Sequence, residues 1–322
     1  MISNKQLAII IPAYKKSFLK ETLDSIAAQT CQDFTLYIGD DCSPYELWDI
    51  IKNYQDKIDI VYKRFDTNLG GKNLVSQWER CIAMSHNEPY IWLFSDDDIM
   101  DSQCVEYFLN LPQEIKNNYL IHFNVKILTK QTINNISTET LFPKILTAKQ
   151  YLDGKLFGLN HKYLNSYVVE FIFCRNLYIN NKGFLNFDLA WGSDFLTWVK
   201  MAGNCKGIYS IKANNAYVHW RKSDENISPN KSHPIMKRKL NSLIENAVYI
   251  QKWLLQKGYK PSFLYSKFFW GELNRNKQIF TLNEILSFYI TYKHKIGYPI
   301  WATLALVVIT IKYFFQQNLN KQ

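Results

Sequence analysis

Three adjacent carboxylates, Asp96, Asp97 and Asp98, follow directly on the apolar and aromatic run Tyr90 to Phe94. A run of that kind reads as a strand buried on both faces. Neighbouring carboxylates repel one another, and burying them unpaired is costly. Placed where a central strand ends, they call for a cation. Hard oxygen donors suit Mg²⁺ or Mn²⁺, ions that keep positions open for substrate phosphates. The competing reading is a solvated acidic turn that caps the next helix. Two further groups sit at the ends of apolar runs: Tyr14 after Leu7 to Ala13, and Asp40–Asp41 after Phe34 to Gly39.

These residues need a scaffold. LAIIIPAY (7–14) and FTLYIGDD (34–41) read as short buried strands, IDIVYK (58–63) as a third and the Ile91 run as a fourth. Between them lie helical patterns: Leu19, Leu23, Ile26 and Ala27 behind a capping Ser17, a capping box at Ser43–Glu46, and Leu74, Val75, Trp78 and Ile82 after the turn Asn68–Gly71. The alternation β-α-β-α-β-α-β predicts a parallel sheet with helices on both faces. Ligands of such sheets bind beyond the carboxyl ends of the strands, where all three groups fall.

Beyond Asp101 the pattern predicts strands at Tyr119–Leu128, Ser166–Cys174 and Tyr217–Arg221, and a polar loop at Gln131–Thr140. It also predicts a capping box at Thr147–Gln150 and a helix opening at Trp191–Asp194. A long helix runs from Pro234 to Lys257 and closes at Gly258, and Thr281–Glu284 caps another.

The chain has 322 residues, 47% hydrophobic and 16% aromatic, enough for a substantial core. Its six cysteines are dispersed, with no Cys-x-x-Cys pair, which predicts reduced thiols in a cytosolic protein. The N-terminus runs into a strand with no charged-then-apolar leader. The net charge of +10 lies in the last third: from Arg221 onward there are 16 Lys and Arg against 5 Asp and Glu. Such a surplus suits an anionic surface, membrane headgroups or nucleic acid. Residues 296–311 carry no charge, somewhat short of the roughly 20 residues that span a bilayer.

IIIPAYKKSFLKETLDSIAAQT, YIGDDCSP, NLGGKN and FSDDDIMD together resemble the family 2 glycosyltransferases, in order and spacing, over roughly residues 7–221. The resemblance implies a GT-A fold: an α/β, Rossmann-like, mostly parallel sheet flanked by helices. Residues 1–221 would form the catalytic domain and 222–322 a basic, mainly helical extension. Pro12, Ala13 and Tyr14 would line the nucleotide pocket and Asp41 would accept a hydrogen bond from the base, while Asp40 is structural. Asp96 and Asp97 would face the nucleotide, and Asp97 and Asp98 would hold Mn²⁺ or Mg²⁺ against its diphosphate. Asp194, beside a sugar platform of Trp191 and Gly192, would be the general base. Arg221, with Asn226–Ser228, would close over the diphosphate. His219 reads as a core histidine and Lys72 as a solvated lysine. No Gln-x-x-Arg-Trp occurs, a motif that marks processive synthases in that family.

The resemblance thus implies an inverting transferase moving one sugar, from a UDP-sugar, to a glycan or lipid-linked acceptor of a surface polysaccharide. It would sit on the cytoplasmic face of an anionic membrane, with no nucleic-acid partner. Two rivals stay open. A sugar nucleotidyltransferase shares the sheet and acidic site but would carry a Gly-rich basic loop where Pro12-Ala13-Tyr14 stands. A nucleic-acid-binding protein would use the basic third and leave the acidic triplet unexplained.

Overall fold

The computed structural model describes residues 5–129, 132–138, 142–160, 162–223 and 230–319. They divide into two compact units, one of 1–186 with 193–226, the other of 187–192 with 227–322.

Among the described residues the first unit holds twelve strands: β1 (Leu7–Ala13), β2 (Phe34–Asp40), β3 (Ile60–Arg64), β4 (Tyr90–Leu93), β5 (Ile99–Met100), β6 (Leu120–His122), β7 (Val125–Thr129), β8 (Thr132–Thr138), β9 (Ile145–Leu146), β10 (Phe171–Cys174), β11 (Ile208–Ser210) and β12 (Val218–Lys222). The main sheet runs β3-β2-β1-β4-β10-β6-β11-β9, and β5-β12-β7-β8 form a second. The first four strands of the main sheet are parallel, and β10 is antiparallel to both its neighbours. This is the α/β, mostly parallel architecture that the alternating sequence predicts. β1, β2 and β4 are buried almost throughout because their residues are apolar on both faces. Trp92 stacks on Phe123 at 4.9 Å and donates its indole N–H to the Val169 carbonyl at 2.7 Å, whereas the indole N–H of Trp198, equally buried, has no partner among the described residues. All six cysteines are free.

Several local expectations are corrected. The helix Leu19–Ala27 has Phe18, not Ser17, at its N-cap position, and Phe18 makes no side-chain cap bond. Ser43–Glu46 is not a capping box: the Ser43 hydroxyl donates to the Tyr14 carbonyl at 2.7 Å, and the helix that follows is the single turn Trp48–Ile51. The strand expected over Tyr119–Leu128 is two, β6 and β7, in different sheets. The polar stretch expected as a loop holds β8, paired antiparallel with β7. Only the second half of Ser166–Cys174 is extended; Val168–Glu170 is a 3₁₀ turn. The boxes at Thr147/Gln150 and Thr281/Glu284 form with both reciprocal bonds.

The second unit gathers four helices, His233–Gln256, Lys267–Arg275, Leu282–Ile296 and Pro299–Leu319, around Leu240, Ile244, Phe269, Trp270, Phe288 and Tyr292. The segment Phe187–Gly192 packs with them. Asp188 accepts from Arg238 at 2.6 and 2.9 Å, and the Trp191 carbonyl accepts from the Asn246 amide at 3.0 Å. Gly192 has φ +86°, and a Cβ there would lie 2.2 Å from Asn246, so only glycine fits. The close approach expected at Gly192 is therefore made by Asn246. The uncharged stretch 296–311 is broken by Gly297 and Tyr298, both at positive φ, so its helix begins at Pro299. No helix among the described residues is long and apolar enough to cross a membrane.

Candidate active site

Register places the site. β1 pairs with β4 on one side and β2 on the other, with Ala13 opposite Asp40, so the three strand ends emerge together. The Phe94 amide still bonds the Ile10 carbonyl at 2.8 Å, and the chain then turns through Ser95–Asp98. The turn is tied down from outside. The Thr22 hydroxyl, on the helix Leu19–Ala27, donates to the Asp98 carbonyl at 2.8 Å. β5, immediately after the triplet, pairs antiparallel with β12, Ile99 opposite His219, which carries Arg221 to the triplet.

Each carboxylate of the triplet has its own partners. Asp96 accepts from the Tyr14 and Lys15 amides at 2.8 and 2.6 Å, closing the end of β1 onto the end of β4. Asp97 is ion-paired to the Lys15 ammonium through Oδ2 and lies 2.9 Å from the Ser95 hydroxyl through Oδ1. Asp98 accepts from the same hydroxyl at 2.6 Å and from the Arg221 amide at 2.6 Å. The Ser95 hydroxyl has a single proton to offer two carboxylates. All three acids are buried, at 4, 4 and 2% exposure. Burial, then the charge of Asp97, pushes the Asp98 carboxyl up to about 7, and burial also raises Asp96. Burial lowers the Lys15 pKa, but Asp96 and Asp97 outweigh it and raise the value overall. One ammonium against three carboxylates leaves surplus negative charge in a buried place.

Arg221 is buried within the protein. Its Nε donates to the Asp97 carbonyl at 2.8 Å and its Nη2 to Glu21 at 2.6 Å, and its guanidinium lies 4.1 Å over the Phe18 ring. Its Nε thus braces the triplet's backbone at Asp97. Asn226–Ser228, expected to act with it, lie outside the described residues.

Asp41 heads a second network. It accepts from the Leu69 and Gly70 amides at 2.7 and 2.8 Å and is ion-paired to Arg80, whose guanidinium stacks 3.9 Å over Phe65. A carboxylate offers about four lone-pair directions, and three are taken here. A Cβ on Gly70 would fall 2.6 Å from Asp41, which is why that turn is glycine. Asp40 accepts from the Ser43 amide at 2.8 Å, the Tyr62 hydroxyl at 2.7 Å and Arg64 at 3.2 Å, a wholly structural set. Ala13 is buried and Pro12 partly so, whereas the Tyr14 ring is 42% exposed at the mouth of β1.

Asp194 stands in the first turn of the helix Ser193–Ala202, partly exposed. It bonds to neither network. Burial raises its pKa, opposed by the Phe195 amide and by Lys155. Trp191 packs within the second unit, with the Lys239 ammonium 4.3 Å over its ring. His219 is a neighbour of the site: its Nε2 lies 2.7 Å from Asp101, which also accepts from the Tyr217 amide at 2.9 Å, while its Nδ1 is buried with no hydrogen-bond partner among the described residues. Lys72 is exposed.

Sequence reasoning missed Lys15, Ser95 and Arg80. Arg80 carries a local signal, because Gln77, Arg80 and Cys81 share a face of the helix Leu74–Ile82. Lys15 carries none, since only the pairing of β1 with β4 brings it to residues 81 and 82 positions away.

Residues 8–165 match the family described as Glycosyl transferase family 2. An uncharacterized glycosyltransferase of Rickettsia prowazekii is 24% identical over 200 residues, 60% of this chain and 58% of that protein. The chain thus spans little more than half the length of that relative. The poly(ribitol-phosphate) β-N-acetylglucosaminyltransferase TarS of Staphylococcus aureus is 28% identical over 96 residues, 29% of this chain and 16% of that one. The structure of TarS 1–349 with UDP-GlcNAc superposes with a TM-score of 0.56 at 14% identity, covering 97% of this chain and 92% of that one. The mannosyltransferase PcManGT of Pyrobaculum calidifontis, with GDP-Man and Mn²⁺, gives a TM-score of 0.50 at 12% identity, covering 97% of this chain and 87% of that one. The fold is thus of the GT-A type, and residues 8–165 make this chain a member of the family 2 glycosyltransferases.

Proposed function

We propose that the chain moves one sugar from a nucleotide sugar, a UDP-sugar, to a hydroxyl of a glycan or lipid-linked saccharide in surface-polysaccharide synthesis, with inversion. The observation that carries this is the buried triplet Asp96–Asp98, tied at one end of the sheet to the exposed Tyr14 of β1 and to Arg221 of β12. TarS, bound to UDP-GlcNAc, supports the choice of nucleotide, and its polymeric poly(ribitol-phosphate) acceptor supports a glycan-like one.

The Tyr14 ring offers a flat face to a base, and Asp41, through the turn Leu69–Gly70, shapes the pocket beside it and keeps one acceptor direction for a base N–H. Asp194 takes the proton of the acceptor hydroxyl. That oxygen forms its bond to the anomeric carbon as the bond from that carbon to the diphosphate oxygen breaks. A single displacement of this kind inverts the anomeric centre.

The triplet fits a divalent cation. Among the described residues no three His, Cys, Asp or Glu side chains converge as a cage. Mg²⁺-type sites, however, use one or two carboxylates with substrate phosphates rather than a cage. The surplus negative charge and the raised pKa of Asp98 are what such an ion relieves. Asp97 and Asp98 would hold it, and it would supply Lewis-acid stabilisation of the departing diphosphate. The structure of PcManGT in complex with GDP-Man and Mn²⁺ is consistent with this. Transfer should therefore stop in excess EDTA and return with Mn²⁺ or Mg²⁺, and Asp98→Ala should abolish turnover. Full activity in EDTA would overturn the metal assignment.

The partner surface we propose is the inner, anionic face of a membrane, matched to the basic last third of the chain. The deciding experiment for the chemistry is a thermal-shift panel of nucleotide sugars with Mn²⁺. A ligand that binds only the native state raises the melting temperature with its concentration. UDP-sugars should shift it and GDP-sugars should not. No shift with any of them would refute the transferase reading.

A further inference from the structure

Lys15 is held at both ends by the triplet. Its amide donates to Asp96 at 2.6 Å, and its ammonium is ion-paired to Asp97 and lies 3.6 Å from the other oxygen of Asp96. Its side chain is 22% exposed and those of the two acids 5 and 6%, so solvent screens the group little. The ammonium bonds Oδ2 of Asp97, while Oδ1 already faces the Ser95 hydroxyl. A divalent ion that binds Asp97 through its remaining oxygen therefore meets a positive charge already seated there. Two cations a few ångströms apart in a weakly screened site repel strongly.

We propose that Lys15 is a built-in counter-cation that a divalent ion must displace from Asp97, so that ion binding waits for the nucleotide diphosphate. This rests on the metal-dependent reading above. The ammonium is a compact charge on a flexible four-carbon stem, able to change partners without moving the backbone. A diphosphate brings new anionic oxygens to the mouth of β1, where Lys15 and Tyr14 stand. Lys15 exchanges Asp97 for a phosphate oxygen, and the carboxylate it leaves receives the ion. Ion and nucleotide then bind cooperatively, and the coupling is reciprocal: each raises the affinity of the other by the same factor. No residue that is merely structural predicts that coupling.

The test measures Mn²⁺ binding to the full chain by the EPR signal of free Mn²⁺, with and without UDP, and UDP binding by calorimetry. Wild-type protein should bind Mn²⁺ about tenfold or more tighter with UDP than without, within the range usual for coupled sites. Lys15→Met keeps the length of the stem and removes its charge. It should bind Mn²⁺ tightly without UDP, lose most of the dependence on UDP, and bind UDP more weakly. Lys15→Arg keeps the charge and should keep Mn²⁺ binding weak in the absence of UDP; this separates the charge from any general loosening of the turn. If Lys15→Met leaves both the Mn²⁺ affinity and the coupling unchanged while wild type binds Mn²⁺ with UDP, the proposal fails and the metal assignment stands. If wild type binds no Mn²⁺ even with UDP, the metal assignment and this proposal fall together. UDP binding in the same titrations then still reports on the transferase reading.

Discussion

Asp194→Asn should bind UDP and melt as the wild type does, while transfer falls by about 10²- to 10⁴-fold, the usual contribution of a positioned general base. The amide keeps the shape and loses the capacity to accept a proton. Two influences act on this carboxyl in opposite directions. Its place in the first turn of a helix favours the charged form through the dipole, as do the Phe195 amide and Lys155. Burial disfavours it and wins, so the pKa lies above the ordinary carboxylate value. A base gains strength from such a shift provided it stays ionised at the working pH. The sign for rate follows. Transfer should fall as pH drops through the raised pKa, because the protonated acid cannot take the acceptor's proton. The acid limb set by Asp194 should therefore begin at higher pH than for a free aspartate and should be missing from the residual activity of Asp194→Asn, which keeps only the limb set by the triplet, where the Asp98 carboxyl is pushed up to about 7. Wild-type turnover by the variant would assign the base to another residue.

The parallel half of the main sheet is legible because each of its first four strands is a bounded apolar run separated by one helical pattern. The split of Tyr119–Leu128 is not. No glycine or proline marks the bend, and what makes it is Asn124, whose side chain accepts from the Phe142 amide at 3.1 Å and donates to the Ile211 carbonyl at 3.4 Å. Local capping follows the same division. Thr147 and Thr281 cap as expected because their partners lie three residues away. Ser43 does not: its hydroxyl donates to the Tyr14 carbonyl, 29 residues distant, and its oxygen accepts from the Tyr45 amide at 3.2 Å rather than from Glu46. The acidic triplet is visible as three letters in a row. Its meaning depends on Lys15 and Arg221, 82 and 124 residues away in the chain, which meet it through the pairing of β1 with β4 and of β12 with β5.

Full-length protein should sediment with vesicles containing anionic phospholipid, and a variant carrying Leu304→Glu, Ile311→Glu and Phe315→Glu should remain folded and stay in the supernatant. The helix Pro299–Leu319 has two apolar faces. Ala302 and Ile309 are buried against the other helices of the second unit, with Ala305, Leu306 and Tyr313 beside them. Ile300, Trp301, Leu304, Val307, Val308, Ile311, Phe314 and Phe315 are each 47 to 73% exposed. At about 100° per residue these eight fall within an arc of roughly 140°, opposite the buried face. A contiguous apolar face of this kind marks an interaction surface rather than scattered exposed residues. Its geometry fits a helix lying in the membrane interface better than one crossing it. The break at Gly297–Tyr298 leaves only Pro299 to Ile311 uncharged within the helix, about 20 Å of rise against a hydrocarbon core of about 30 Å. Interfacial helices bind through buried apolar area together with attraction to anionic headgroups, and each well-placed cation adds about 1 kcal/mol. Lys293, Lys295 and Lys312 are exposed on this helix and the one before it, in a third of the chain where basic residues outnumber acidic ones 16 to 5. Trp301 is of the amphipathic type that settles at headgroup depth. Removing everything after Lys295 would also strip Ala302 and Ile309 from the core, so glutamates on the exposed face are the cleaner probe. Sedimentation should weaken with added salt, since the electrostatic part is screened. A wild-type chain that ignores anionic vesicles, or one that runs as a dimer which the three glutamates dissociate, would assign this face to a second copy and end the membrane reading.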